Sequence, residues 1–307
     1  MDNGKGIIHE LAKNRTLFLM ILPATIFFIL FCYVPMFGSI LAFKDYNVKD
    51  GIFLSPWSGL DNFRFLLVSG RLWLVTKNTV LYNLAFETTA PVLQCVVAIF
   101  LAEMSSKFIR KITQGMMFLP YFISWVIVGT FIYNLFNYDY GLLNSILKSF
   151  GLSPTDVYGN PDAWKYILLV FHNWKLVGYG SVLYLAAIMS IDQEIMEAAE
   201  IDRANIFTRI RCITIPYIIP TFTILFLLAI GRIFRGNFDM FYQIIGDNGT
   251  LFDKTDVIDT FTFRALLRSN DIGMSSASAF YQSVLCFITI IGANAFVRKI
   301  SKDNALF

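Results

Sequence analysis

Charge is scarce in this chain. Asp, Glu, Lys and Arg make up 15% of its 307 residues, against 56% hydrophobic, where an average soluble domain is about 25% charged. So few charges cannot solvate a globular exterior, and a mean hydropathy of +0.59 excludes intrinsic disorder as well. Cysteine is also sparse. Cys32, Cys95, Cys212 and Cys286 lie far apart with no C-x-x-C, which excludes a disulfide framework and a zinc site built on thiolates. Histidine occurs twice, and His9-Glu10 lacks the second His that a zinc-protease helix needs. The net charge of +3 comes from scattered Lys and Arg, so no nucleic-acid partner is implied. Gly4-Lys5 stands too near the start to belong to a Walker A motif. No paired carboxylates, metal cluster or nucleophile–base constellation marks an enzyme.

What the chain has in quantity is long apolar runs. A helix needs about 20 mostly apolar residues to cross a bilayer. Residues 16–43, 112–138, 212–231 and 272–297 carry no formal charge, 78–102 carries only Glu87, and 166–191 carries His172 and Lys175. The fold class expected is an all-α integral membrane protein with six transmembrane helices. The first run is too long for a signal-peptide core and has no A-x-A site after it, so it reads as an uncleaved helix. With both termini inside, segments 1–15, 103–111, 192–211 and 298–307 hold 12 Lys and Arg, and the outside stretches 44–77, 139–165 and 232–271 together with Lys175 at a helix mouth hold 13. Density decides. Lys107, Arg110 and Lys111 crowd one short loop, and Arg298, Lys299 and Lys302 follow the last span, which places both ends in the cytoplasm.

The loop between spans four and five is the most informative stretch. Residues 191–220 read IDQEIMEAAEIDRANIFTRIRCITIPYIIP. Early acids suit a helix N-terminus, and Glu197-Ala198-Ala199-Glu200 is helix-forming. Local physics alone describes an amphipathic connector lying along the inner membrane face. The ordered combination says more: Glu197-Ala198-Ala199, Asp202, Ala204, then Ile213-Thr214-Ile215-Pro216 and Pro220 resemble the EAA loop of permease subunits in binding-protein-dependent type I ABC importers. That family has Gly where this chain has Arg203. Glycine serves a left-handed turn, which costs a side-chained residue about 1–2 kcal/mol. Either the helix runs through Arg203 without that turn, or the partner groove differs.

The resemblance covers nearly the whole chain. Tyr33-Val34-Pro35-Met36-Phe37-Gly38, Asn78-Thr79, Leu119-Pro120-Tyr121-Phe122, the run from Asp256 to Thr260 with Arg264, and Ala293-Asn294 are similar to the subgroup that takes up oligosaccharides and polysaccharide fragments. LplB-like permeases and the alginate and rhamnogalacturonide importers belong to it. The resemblance implies a carbohydrate-uptake subunit in a bacterial plasma membrane. Its partners would be a second related permease (usually a heterodimer), two cytoplasmic ATPase subunits and an external solute-binding lipoprotein. ATP and Mg would bind the ATPases, and no cofactor would bind this chain. Glu197 and Asp202 become docking contacts, Ala198 and Ala199 a close-approach surface with Arg203 and Ala204 beside it, and Pro216 the kink rejoining span five.

Intramembrane polar residues suggest function by default. Thr79, Asn83, Glu87, Pro91 and Gln94 recur at helical spacing and form one stripe on span two. Such a stripe faces either a translocation cavity or a structural network in which Glu87 is protonated or pairs with Lys175. His172, Lys175 and Tyr179 share a face of span four that reads either as an outer gate or binding rim of the substrate pathway or, for Trp174 and Lys175, as interface anchoring. Tyr121 and Trp125 in span three are rings able to stack on a sugar, and Asn237 and Asp239 are further cavity candidates. A rival from another class is an ion-coupled secondary sugar carrier using Glu87 as its ion site; it leaves the inner loop unexplained and no inverted repeat is visible.

Overall fold

The computed structural model describes residues 14–68 and 70–300. The expected segment 1–15 lies outside them except for its last two residues, as does 301–307 of the tail. Among the described residues the chain is helical, with an isolated bridge between Lys44 and Trp57 in place of any strand. Four helices are long and apolar enough to span: α1 (Arg15–Phe43), α3 (Arg71–Ala102), α9 (Ile206–Ile230) and α12 (Ile272–Ala295, continuing to Ile300). α2 (Asp61–Val68) precedes α3. Two bent pairs complete a six-span bundle: α4 (Lys107–Phe122) with α5 (Trp125–Phe136), and α7 (Trp164–Met189) with α8 (Gln193–Ile201). α6 (Leu142–Ser149), α10 (Phe238–Ile245) and α11 (Ile258–Leu267) are short connectors.

The run 112–138 is not one straight helix. α4 and α5 meet at 90°. Ile123 is extended, and the Ser124 hydroxyl accepts from Ile127 N at 3.4 Å, capping a new helix. The second bend, 73° between α7 and α8, is set the same way: Asp192 accepts from Glu194 N at 3.0 Å. Proline acts differently in α1 and α9. Each contains a five-residue π-helical segment, Ile29–Tyr33 and Ile210–Thr214, followed by Val34-Pro35 and Ile215-Pro216. Proline lacks an N–H, and its ring crowds the carbonyl four residues back; a widened turn accommodates both. Pro216 therefore sits in a continuous helix and does not break it.

α3 and α7 form the most extensive helix pair. α4 closes on α7 at Gly178, where a Cβ would run into the backbone carbonyl of Met117. The main core joins Tyr82, Phe86, Ile132, Leu168 and Phe241. A second cluster ties Ala42, Leu66 and Val75 to α12 through Ala277. α1 stands apart: the apolar stretch that qualifies it as a span has no buried residue, and only its Phe37–Phe43 end packs on α12.

Ion pairs gather the connecting loops at two opposite ends. At one end Arg209 reaches both Glu103 and Glu200 at 3.1 Å. At the other, Arg71 meets Asp253 at 2.7 Å, and Lys254 meets Asp162 at 3.4 Å.

Candidate functional site

Two groups of residues carry the polar chemistry. The first is α8 and its continuation. Glu197, Ala198 and Asp202 are exposed, and Ala199 and Ala204 are half-buried. The helix does not run through Arg203. That residue takes φ +55; its N–H donates to Glu200 O at 3.0 Å, and Ala204 N–H donates to Ala199 O at 2.9 Å. These paired bonds form a Schellman closure. The left-handed turn is thus made with arginine in the glycine position, which removes the first of the two alternatives, a helix running through Arg203. Asn205 then accepts from Thr208 N at 2.8 Å and starts α9. Ile201 and Phe207 flank the turn at 82% and 78% exposure, so an apolar edge lies open beside the acids. Arg209, only 19% exposed, locks the end of α8 to Glu103 at the end of α3. Sequence reading missed this tie, because the 106 residues separating Arg209 from Glu103 carry no local signal.

The second group lies inside the bundle. Lys175 is buried and is not an interface anchor. Its ammonium donates to Pro120 O at 3.1 Å, to Tyr121 O at 2.8 Å and to Ile123 O. These carbonyls lie where α4 ends, Pro120 O accepting from Ile123 N at 3.2 Å as well, and a cation belongs at that negative pole. The same Nζ lies 5.9 Å from the Tyr121 ring and 5.2 Å from the Trp125 ring. Tyr179 stacks on Tyr121 at 4.0 Å. Three expected site residues, Tyr121, Trp125 and Lys175, therefore meet at the break of span three.

The Glu87–Lys175 pair is not formed, because Lys175 is committed to carbonyls. Glu87 is half-buried and makes no ion pair among the described residues. Three other members of the stripe, Thr79, Asn83 and Gln94, clamp backbone. Thr79 accepts from Ile258 N at 3.0 Å, Asn83 donates to Ile233 O at 2.7 Å and Arg235 O at 3.1 Å, and Gln94 reaches Leu176 O at 3.5 Å. His172 is buried and stacked on Phe86 at 3.9 Å, and its Nδ1 has no hydrogen-bond partner among the described residues. Asn237 caps α10 through Met240 N at 3.1 Å, and Asp239 is exposed. Among the described residues no group of His, Cys, Asp or Glu is placed to hold a metal ion.

Residues 94–302 match the family described as binding-protein-dependent transport system inner membrane component. The chain belongs to that family. It is 31% identical to the polygalacturonan/rhamnogalacturonan transport system permease protein YteP of Bacillus subtilis (strain 168), over 99% of this chain and 94% of the relative. It is 30% identical to protein LplB of the same organism, over 98% and 95%. A solved bacterial alginate ABC transporter, crystallised with an alginate-pentasaccharide-bound periplasmic protein, contains a chain of the same fold. Its TM-score is 0.86 at 29% identity, over 97% of this permease and 99% of that chain. This permease is an all-helical membrane protein of the type I importer fold. The motif from Asp256 to Arg264 owes its place to structure: buried Asp256 pairs with Arg264, whose guanidinium lies 3.9 Å from the Phe252 ring centroid. Nothing in the site favours the ion-coupled carrier.

Proposed function

We propose that this permease is one half of an ABC importer for an oligosaccharide or glycan fragment in a bacterial plasma membrane, with both termini cytoplasmic. Two ATPase subunits hydrolyse ATP beneath it, a second permease completes the pore, and a solute-binding lipoprotein delivers sugar from outside. The observation that carries this reading is α8: a short exposed helix with Glu197-Ala198-Ala199 on it, closed by a left-handed turn at the family's glycine position. Exposed acids beside the apolar Ile201 and Phe207 fit a groove with basic walls and an apolar floor. In this role Glu197 and Asp202 make polar contacts, Ala198 and Ala199 allow close approach, and Arg203 and Ala204 hold the turn. Pro216 and its π-helical neighbour make α9 deformable where force enters. The Arg209 bridge extends the same movement to α3, since Glu103 ends that helix. Such coupling needs two states that ATP closure distinguishes. The test is co-purification of the ATPase chain with the permease in detergent. Glu197→Lys should abolish it while the permease still folds; an ATPase retained at full stoichiometry would refute the docking role.

A further inference from the structure

The end of the molecule opposite α8 holds an open cleft of about 580 Å³ between α5, α10 and the residues that follow each, within the about 300–1,000 Å³ usual for ligand sites. Its floor is set by Gly129: a Cβ there would run into the backbone carbonyl of Gln243, so α5 and α10 approach backbone to backbone. Three rings (Tyr133, Tyr138 and Tyr158) and three carboxylates (Asp139, Asp156 and Asp247) dominate its walls. Tyr133 meets Tyr158 edge to face at 6.0 Å, and Tyr158 packs at 4.7 Å on the fully buried Trp164, so this wall is backed by the core.

The carboxylates are incompletely used. Asp139 makes no ion pair or side-chain hydrogen bond among the described residues, Asp156 accepts only from Gly159 N at 2.8 Å, and Asp247 pairs with Arg268, outside the lining. No lysine or arginine lines the cleft. Ring faces suit the C–H patches of a sugar, and free carboxylate oxygens accept strongly from hydroxyl or ammonium donors. A carboxylate on the ligand would meet Asp139 and Asp156, which have no ion-pair partner among the described residues, while Arg268 offsets only Asp247.

We propose that this cleft is a glycan-binding site at the outer entrance of the permease, and that it takes uncharged or amino-bearing saccharides while turning away uronates. The proposal rests on the importer reading above, which puts these loops outside. It separates this permease from the similar importer of the acidic polysaccharide alginate.

The test uses the full permease with its partner permease and ATPases in lipid nanodiscs, without the binding protein. Maltotriose, the glucosamine trimer and trigalacturonate serve as probes, read by saturation-transfer NMR. Maltotriose and the glucosamine trimer should bind at least 10-fold more tightly than trigalacturonate. Tyr138→Ala, on an exposed loop, should weaken maltotriose at least 10-fold, and Asp139→Lys with Asp156→Lys should reverse the preference. Trigalacturonate binding as tightly as maltotriose, no signal from any probe, or an unreversed preference in the double variant overturns the site. ATPase content is measured on the same sample. ATPase present without probe binding defeats the cleft alone; a permease that never retains an ATPase defeats the importer reading.

Discussion

Two helices of this permease end abruptly, and they end in opposite ways. α8 closes on its own backbone, through Arg203 and Ala204, in an exposed loop. Water serves the carbonyls that the turn leaves over. α4 ends within an apolar run, where backbone carbonyls must be met by the protein or by a water-lined cavity. There a second helix supplies the donor: Lys175 of α7 reaches three carbonyls around the break, and aromatic rings surround its charge. The same backbone event thus needs only a turn in one solvent and a buried cation in the other. A functional look to Lys175 in the sequence is therefore a consequence of where α4 stops.

The contrast predicts unequal sensitivity. Lys175→Met keeps the stem and removes the donors from α4's end. Charge-assisted hydrogen bonds are worth about 1.5–3 kcal/mol each, and stranding buried partners costs more than the bond alone. A loss of about 3–5 kcal/mol is expected, read as a large drop in melting temperature in detergent and as lost uptake. An unchanged melting temperature would mean that the α4 end is hydrated after all, and the comparison would collapse.

Arg209 tests the other end at smaller scale. Its bridge from Glu200 to Glu103 is only partly exposed, so it should exceed an ordinary surface pair, which is worth about 0–1 kcal/mol. A double-mutant cycle with Glu103→Gln and Arg209→Gln should give a coupling of about 1 kcal/mol. Uptake should fall several-fold while the ATPase stays bound, because α8 still docks but no longer moves α3. Full uptake in the double variant would remove α3 from the route.

Much of this was legible beforehand. Four charge-free runs and two with a single formal charge marked the apolar helices because a bilayer accepts little else, and the order Glu197-Ala198-Ala199, Asp202, Pro216 marked the loop. The break at Ile123 was not legible, although Ser124 is a good cap: caps are common, and only the contact with Lys175 makes this one decisive. The stripe of Thr79, Asn83 and Gln94 was visible as a periodicity. Its use, clamping the backbone at residues 176, 233–235 and 258, depends on chain segments 82 to 179 residues away. The acidic cleft was missed for the same reason, since Asp139, Asp156 and Asp247 meet only in the folded chain.

The smallest expected effect is also the most discriminating about α8. Arg203→Gly removes a Cβ from a left-handed residue, relieving about 1–2 kcal/mol of strain. Glycine also enlarges the unfolded ensemble, which gives back about 0.4–1 kcal/mol. The net is a stabilisation of the turn by about 0.5–1 kcal/mol. Global melting will barely register it, because α8 is peripheral and exposed. Local opening will, since about 0.7 kcal/mol is roughly a threefold change in an equilibrium constant at RT of about 0.59 kcal/mol. The Ala204 amide, bonded to Ala199 O, should exchange its hydrogen about threefold more slowly in the variant. The amide of Ile127, which the Ser124 cap holds at the other break, should be unaffected. Faster exchange at Ala204 would show that the arginine side chain itself holds the turn, and that α8 ends by a tertiary contact as α4 does.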